Sequence, residues 1–255
     1  MPTRFVDFMR VLVPMAGDDT TPEGEQVNIY GNHVGSWNFA ATAYLNRWKV
    51  KIYYEHYFDD HSQMFFQYGR WKDGHIGLEI TFPKNRFIDT FVYEGLGTKD
   101  QTGPMLYDSF WGEFEEQISA KDNYYNHYLY QGWQHWGMGI GNPLLPGPIY
   151  NKNGQITFIS NRVLAHHIGF CGSPCQSLSY RMLLSYSRHW GTYDNPLNEI
   201  KKQFNSLFEV TYAPQQLKGW SFTVSGAMDR GSMLGNNYGG MLVIRKQGII
   251  KSGNK

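Results

Sequence analysis

RWKVKIYYEHYF, residues 47–58, decides the reading of this chain. Trp48, Val50, Ile52 and Tyr54 fall on one parity, and Lys49, Lys51, Tyr53 and Glu55 on the other. Side chains alternate across a strand, so the stretch predicts a β-strand with one apolar and one polar face. Two environments satisfy such a strand. One is a protein core against bulk water. The other is lipid against a watery lumen.

The composition leans towards the second. Aromatic residues make up 16% of the 255 residues, with 8 Trp and 18 Tyr, while charged residues are only 18%. There are 28 glycines. Many rings with few charges suit a large β protein whose aromatics sit at an interface. The net charge of +1 gives no basic excess of the kind nucleic acid attracts. No stretch approaches the ~18 consecutive apolar residues of a transmembrane helix, a test that strands escape because only alternate residues face lipid. The N-terminal MPTRFVDFMRVLVPMAG lacks a signal-peptide pattern, since Asp7 and Arg10 interrupt the apolar run.

Strand signals recur along the chain. After a short helical spacing (Phe5, Phe8, Met9, Leu12, with Thr3 as a candidate N-cap) and the acidic loop GDDTTPEGE, alternation begins at about residue 34. The first strand, about 34–45, sets Trp37, Phe39, Ala41, Ala43 and Leu45 on one parity, and a tight turn at Asn46 and Arg47 leads into the opening stretch. Further strands are expected at about 75–82, 86–95, 162–171, 178–190, 204–212, 220–229 and 238–247. The connections alternate. Residues 46–47, 83–85, 172–177 and 213–219 are short, whereas 59–74, 96–161, 190–202 and 230–237 are longer.

A meander with its short turns on one edge has the pattern of an antiparallel up-and-down outer-membrane β-barrel. A β-sandwich is the alternative, but its Greek-key links mix lengths on both edges. Trp37, Trp48, Trp190, Trp220, Tyr186, Tyr212 and Tyr238 lie near strand ends, as in aromatic girdles. About nine strands is an odd count. Barrels of this kind have even numbers with both ends periplasmic, so at least one further strand is expected before the first. The chain is therefore read as one partial barrel domain, 1–255, with strands and loops over 28–250 and the helix and acidic loop over 1–27.

YYEHYFDDHSQMFFQY, GLEITFPKNRF, YEGLGTKDQTGP, DNYYNHYLYQGWQHWGMGIGNPLL and LKGWSFTVSGAMDRG resemble the capsule-assembly Wzi family in its Bacteroidales form. The likeness runs from about Pro2 to Ile250. It implies an outer-membrane β-barrel that binds capsular polysaccharide and helps anchor the capsule at the cell surface; the expected role is non-catalytic. Members of that family are longer, with a signal peptide and more N-terminal strands.

The longest loop, 96–161, is where function is expected. Its rings and amides interleave: Tyr124, Tyr125, Tyr128, Tyr130, Trp133 and Trp136 with Asn123, Asn126, His127, Gln134 and His135. Sugars offer C–H faces to rings and hydroxyls to planar polar groups. Tyr124, Tyr125, His127, Trp133, His135 and Trp136 are the candidate polysaccharide contacts. The plainer alternative is that these rings fold the loop into the barrel mouth as a plug.

His166 and His167 are neighbours on a strand and point to opposite faces. No metal ligand set is expected around the histidines, and no cofactor is called for. In DDHS, residues 59–62, the hydrolase residue types are consecutive, which makes a relay between them sterically poor. Cys171 and Cys175 are either a disulfide or two unlinked thiols flanking a turn. Lys49, Lys51, Glu55, Glu79, Arg181, Glu209 and Arg245 put both signs on the polar parity, which suits a cross-paired, filled lumen better than a pore. The expected partners are surface polysaccharide and outer-membrane lipid. A channel or transport barrel is the second reading, and an outer-membrane hydrolase the third.

Overall fold

The computed structural model describes residues 4–13, 15, 17–21, 26, 31, 33–59, 61–64, 66, 73–85, 87–104, 121–127 and 131–248. The opening stretch forms the strand its alternation requires. β1 (Gly35–Leu45) and β2 (Trp48–Phe58) pair antiparallel through Asn46, whose backbone takes the left-handed conformation the tight turn needs. β3 (Gly74–Thr81) and β4 (Thr90–Gly97) continue the sheet. A small hairpin, β5 (Gln134–His135) and β6 (Met138–Gly139), stands apart. Then come β7 (Val163–Cys175), β8 (Leu178–Gly191), β9 (Pro196–Tyr212), β10 (Trp220–Gly231) and β11 (Asn237–Lys246). The spatial order is β1-β2-β3-β4-β7-β8-β9-β10-β11, every pair antiparallel. The protein is all-β, built on a meander. β1 and β11 each pair on one side only, so the nine described strands form an open sheet.

Antiparallel partners share a face, so the register sorts every side chain. One row runs Ala43, Val50, Ile80, Phe91, Phe170, Met182 and Phe208 across seven strands. The next runs Ala41, Ile52, Leu78, Tyr93, Ile168 and Leu184. Val210, Val224 and Leu242 extend the same face to the last strand. All seven strand-end aromatics from the sequence lie on this parity too. The opposite face carries Lys49 against Glu79 at 3.5 Å and Arg181 against Glu209 at 3.4 Å, the mixed-sign pairing expected from the sequence.

The protein is inverted relative to a sandwich. Among the described residues its apolar face is uncovered: Ile52 is 55% exposed and Val224 61%. The core lies on the polar side, where Leu96, Val163 and Ala165 meet Tyr125, Leu145 and Phe158 of the long loop. His166 and His167 do point to opposite faces. His166 Nδ1 lies 2.8 Å from Tyr93 Oη on the apolar side, and His167 Nδ1 lies 2.7 Å from Ser185 Oγ on the polar side.

Several expectations need correction. β7 runs on to Cys175 through a bulge between Gly172 and Cys175, so the turn is only Gln176 and Ser177. Cys171 and Cys175 therefore stand on one extended strand. Four residues at ~3.3 Å each separate them far beyond the ~7 Å that a disulfide spans, and both are free thiols. The 190–202 connection shrinks to residues 192–195, because β9 begins at Pro196 and pairs with Gly191. β4 starts at Thr90 rather than near residue 86, and the turn before it is organised by Asn85, whose side chain accepts from the N–H groups of Phe87 and Ile88. α1 (Phe5–Leu12) forms as its spacing predicts. Arg4 occupies its N-cap, with Asp7 accepting the Arg4 N–H at 3.1 Å. Thr3 lies outside the described residues, as do Asp60, Tyr128 and Tyr130. α2 (His61–Met64) is a single turn, held where the carbonyl of Gln63 accepts from His56 Nε2 at 2.9 Å.

Candidate functional site

The long connection between β4 and β7 folds back over the polar face. Three devices hold it. Asp73, just before β3, accepts from the N–H groups of Asp100 at 3.0 Å and Gln101 at 2.5 Å, and from Tyr124 Oη at 3.3 Å. Thr98 Oγ1 donates to the Asn161 carbonyl at 2.6 Å, joining the two ends of the loop. Asn126 grips the backbone of Phe158, donating to its carbonyl at 2.9 Å and accepting its N–H at 2.8 Å. Phe158 is thereby set against the Tyr125 ring, centroids 5.0 Å apart.

Burial pushes the Asp73 carboxyl up to about 6, against the pull of its three donors. Burial also holds Tyr124 well above its ordinary value, so it remains a donor. A carboxyl raised above its unfolded value stabilises the clasp fully below the unfolded value near 3.8, and that contribution is lost as pH rises through about 6. Two units correspond to about 3 kcal/mol. Asp73→Asn removes the titration, but its single carbonyl oxygen can accept from only one of the two N–H groups and sets its NH2 against the other. The expected result is docking weakened by about 1–2 kcal/mol with a flat profile between pH 4 and 6, read by hydrogen exchange at residues 98–104. Asp73→Ala leaves two buried N–H groups unpaired and should cost about 2–3 kcal/mol of docking at pH 5.

Between loop and sheet lies a cleft of about 710 Å³. Tyr57, Phe58, Tyr125, Trp133 and Leu144 supply apolar walls, and Glu55, His75, Glu94, His167 and Ser185 a polar floor. The floor is a connected network. His75 lies 3.6 Å from Glu55 and 3.5 Å from Glu94. Ser36 Oγ donates to Glu55 at 2.7 Å, Tyr57 Oη at 3.3 Å, and Tyr53 donates to Glu94. Tyr53 can lie flat there because its ring fills the space above Gly77, where a Cβ would collide with it. Rings for C–H faces and carboxylates for hydroxyl donors suit a polyhydroxylated ligand.

The predicted contacts divide. Tyr124 and Tyr125 are buried, and Tyr125 takes a left-handed backbone, φ +69°, to turn its ring into the core. Both rings pack the loop onto the sheet, and both also line the cleft. Trp133 is half-buried against the cluster and lines the cleft. His135 and Trp136 belong to the β5–β6 hairpin, whose tip residues Trp136 and Gly137 both have positive φ. That turn holds Trp136 out in solvent, 84% exposed. His127 is partly exposed, and its carbonyl accepts from the Gln131 amide.

Comparison of the chain with family models, curated proteins and solved structures finds no match. The site is therefore interpreted on its geometry. Sequence reasoning missed the floor, because register assembles it from strands far apart in the chain. Glu94, His167 and Ser185 fall in one row across β4, β7 and β8. These are the residue types of a hydrolase, but Glu94 is committed to His75 and Tyr53. His167 pairs through Nδ1 with Ser185 Oγ at 2.7 Å, and among the described residues no carboxylate lies within 4.0 Å of it.

Proposed function

We propose that the chain is a large part of an outer-membrane β-barrel, with lipid against the Ile52 face and a lumen on the Glu55 face, and that the loop-covered cleft binds a surface polysaccharide without catalysis. The observation that carries the membrane reading is the inversion: among the described residues nothing packs over the apolar face of the sheet, while the loop packs on the polar side. A water-soluble chain would leave this surface as an aggregation site. On β8 the apolar run Leu178, Tyr180, Met182, Leu184 and Tyr186 covers about 27 Å along the strand at ~3.4 Å per residue. Tilted by ~40°, that is about 21 Å of height, close to the ~25 Å apolar band of such barrels. The loop packed into the polar face favours a binder over an open pore. The resemblance to the capsule-assembly Wzi family supports polysaccharide as the ligand.

Stacking on rings is worth about 1 kcal/mol per ring, so binding must be shared. Trp136 at the hairpin tip and Trp133 at the cleft wall are placed to guide a polymer inward. Trp133→Ala with Trp136→Ala should leave the sheet folded and shed polysaccharide into the medium. The measurement is cell-associated against released polysaccharide, with protein levels followed by heat-dependent gel migration. Normal levels with normal retention would remove these rings from the contact. If deletion of the whole protein also left retention intact, the capsule reading would fall and a conducting channel would take its place.

A further inference from the structure

The apolar face does not end in neutral residues at the long-loop edge. One row above Tyr186 and Phe204, the register sets Arg188 of β8 opposite Lys202 of β9. Arg230 of β10 pairs with Phe204 on the same face. Arg188 and Lys99 both approach the Trp190 ring, at 5.3 and 5.4 Å from its centroid. Arg162 lies over the Tyr193 ring at 3.7 Å, and its Nε donates to the Lys99 carbonyl at 2.9 Å. Five cations thus share one edge of one face. Among the described residues none of the five has a carboxylate within 4.0 Å. The nearby acid Asp194 is held by Lys121 at 2.5 Å. On the polar face, by contrast, Lys49 and Arg181 each have a carboxylate partner.

Unpaired cations are costly to gather, and like charges on directly opposite strand positions repel. Arg188 opposite Lys202 needs an anion to offset that repulsion. The anion must reach a surface whose next rows downward are largely apolar: Tyr186 and Phe204 beside Arg230, then Leu184 and Met228 with Ser206 between them. A free polysaccharide matches the cations and leaves the apolar rows untouched. A molecule with a phosphorylated head and several alkyl chains matches both. Guanidinium groups engage phosphate bidentately, and the half-buried Trp190 indole holds Arg188 and Lys99 beside it.

We infer that Lys99, Arg162, Arg188, Lys202 and Arg230, around Trp190, form a binding site for a phosphorylated glycolipid of the surrounding leaflet, with its acyl chains against the bare apolar face. This rests on the membrane reading above. The test uses the full chain extracted from membranes in a non-ionic detergent, titrated with a diphosphorylated, multiply acylated glucosamine disaccharide. Phosphatidylglycerol and a soluble hexuronate polysaccharide are the comparison probes. The diphosphorylated lipid should bind at least about tenfold tighter than phosphatidylglycerol. Arg188→Gln with Lys202→Gln should remove that advantage, and Lys51→Gln on the opposite face should not. Lys99→Gln, in a loop, is a second variant that leaves the ladder untouched and should weaken binding several-fold. Equal affinity for both lipids, indifference to these substitutions, or preference for the soluble polysaccharide would overturn the site while leaving the barrel standing. Recovery of the chain from the soluble fraction, with no uptake into detergent, would overturn both.

Discussion

Ile52→Arg should destabilise the protein in a bilayer by about 2–4 kcal/mol if the proposed barrel sets Ile52 against lipid, whereas Thr223→Arg should cost much less. Ile52 is the fifth of the 11 residues of β2 and Thr223 the fourth of the 12 of β10, and they fall on opposite faces of the sheet. Ile52 is 55% exposed in the absence of lipid, so a water-soluble fold has nothing there to lose. In water, an exposed strand substitution stays within about 0.5 kcal/mol. In hydrocarbon, the guanidinium must be desolvated or pull water into the bilayer. Thr223 is already among polar groups. Its Oγ1 lies 2.8 Å from Thr211 Oγ1, and losing that hydrogen bond costs about 1 kcal/mol. Equilibrium unfolding in phospholipid vesicles gives both numbers, and Val224→Arg should repeat the Ile52 result. Equal costs on the two faces would remove the membrane assignment. A near-zero cost at Ile52 would return the sheet to water and demand a protein partner for its apolar side.

The same contrast explains what could be read from the sequence. β2 and β10 alternate cleanly because each of their faces meets one environment throughout. The first part of β9, PLNEIKK, extends past the apolar rows. There both faces are wet, no period of two survives, and the segment reads as loop until Gly191 is seen to pair with Pro196. The end of β7 failed similarly, since Gly172, Ser173 and Pro174 carry turn chemistry inside a bulged strand. The cleft floor was illegible for a different reason. Glu55 and Ser185 are far apart in the chain, and only the register of the intervening strands puts them in one cleft. The loop aromatics were visible as a set, but their fates were not. Tyr125 and Trp136 both take positive φ, and that backbone choice turns one ring inward and leaves the other in solvent. No periodicity encodes such a choice. In retrospect, the polar parity residues Glu55, His75, Glu94 and His167 all lie near the long-loop ends of their strands, and that shared height was the available signal.

Phe158→Ala should undock the long loop while leaving the nine-stranded ladder intact. Phe158 is 1% exposed, tilted against Tyr125 and seated above Gly139, whose missing side chain leaves it room. Removing so buried a ring costs about 3–5 kcal/mol. The loss falls on the docking of the loop, because the ring belongs to the cluster that joins Tyr125 and Leu145 to Leu96, Val163 and Ala165 of the sheet, while the sheet ladders do not pass through it. Hydrogen exchange at residues 121–127 should therefore quicken by about 100-fold or more. Strand amides in β8 and β9 should hold their protection. Trp136→Ala is the matched control, since an exposed ring at a hairpin tip should change exchange little. Undocking also uncovers the Glu55–His75–Glu94 floor. In a planar bilayer the Phe158 variant should then carry a larger and noisier current than the parent, because the plug no longer fills the polar face. Loss of strand protection along with loop protection would mean that the loop core holds the whole sheet together. Quick loop exchange with an unchanged, already open current would mean that the cleft conducts as it stands, and the binding reading would yield to transport.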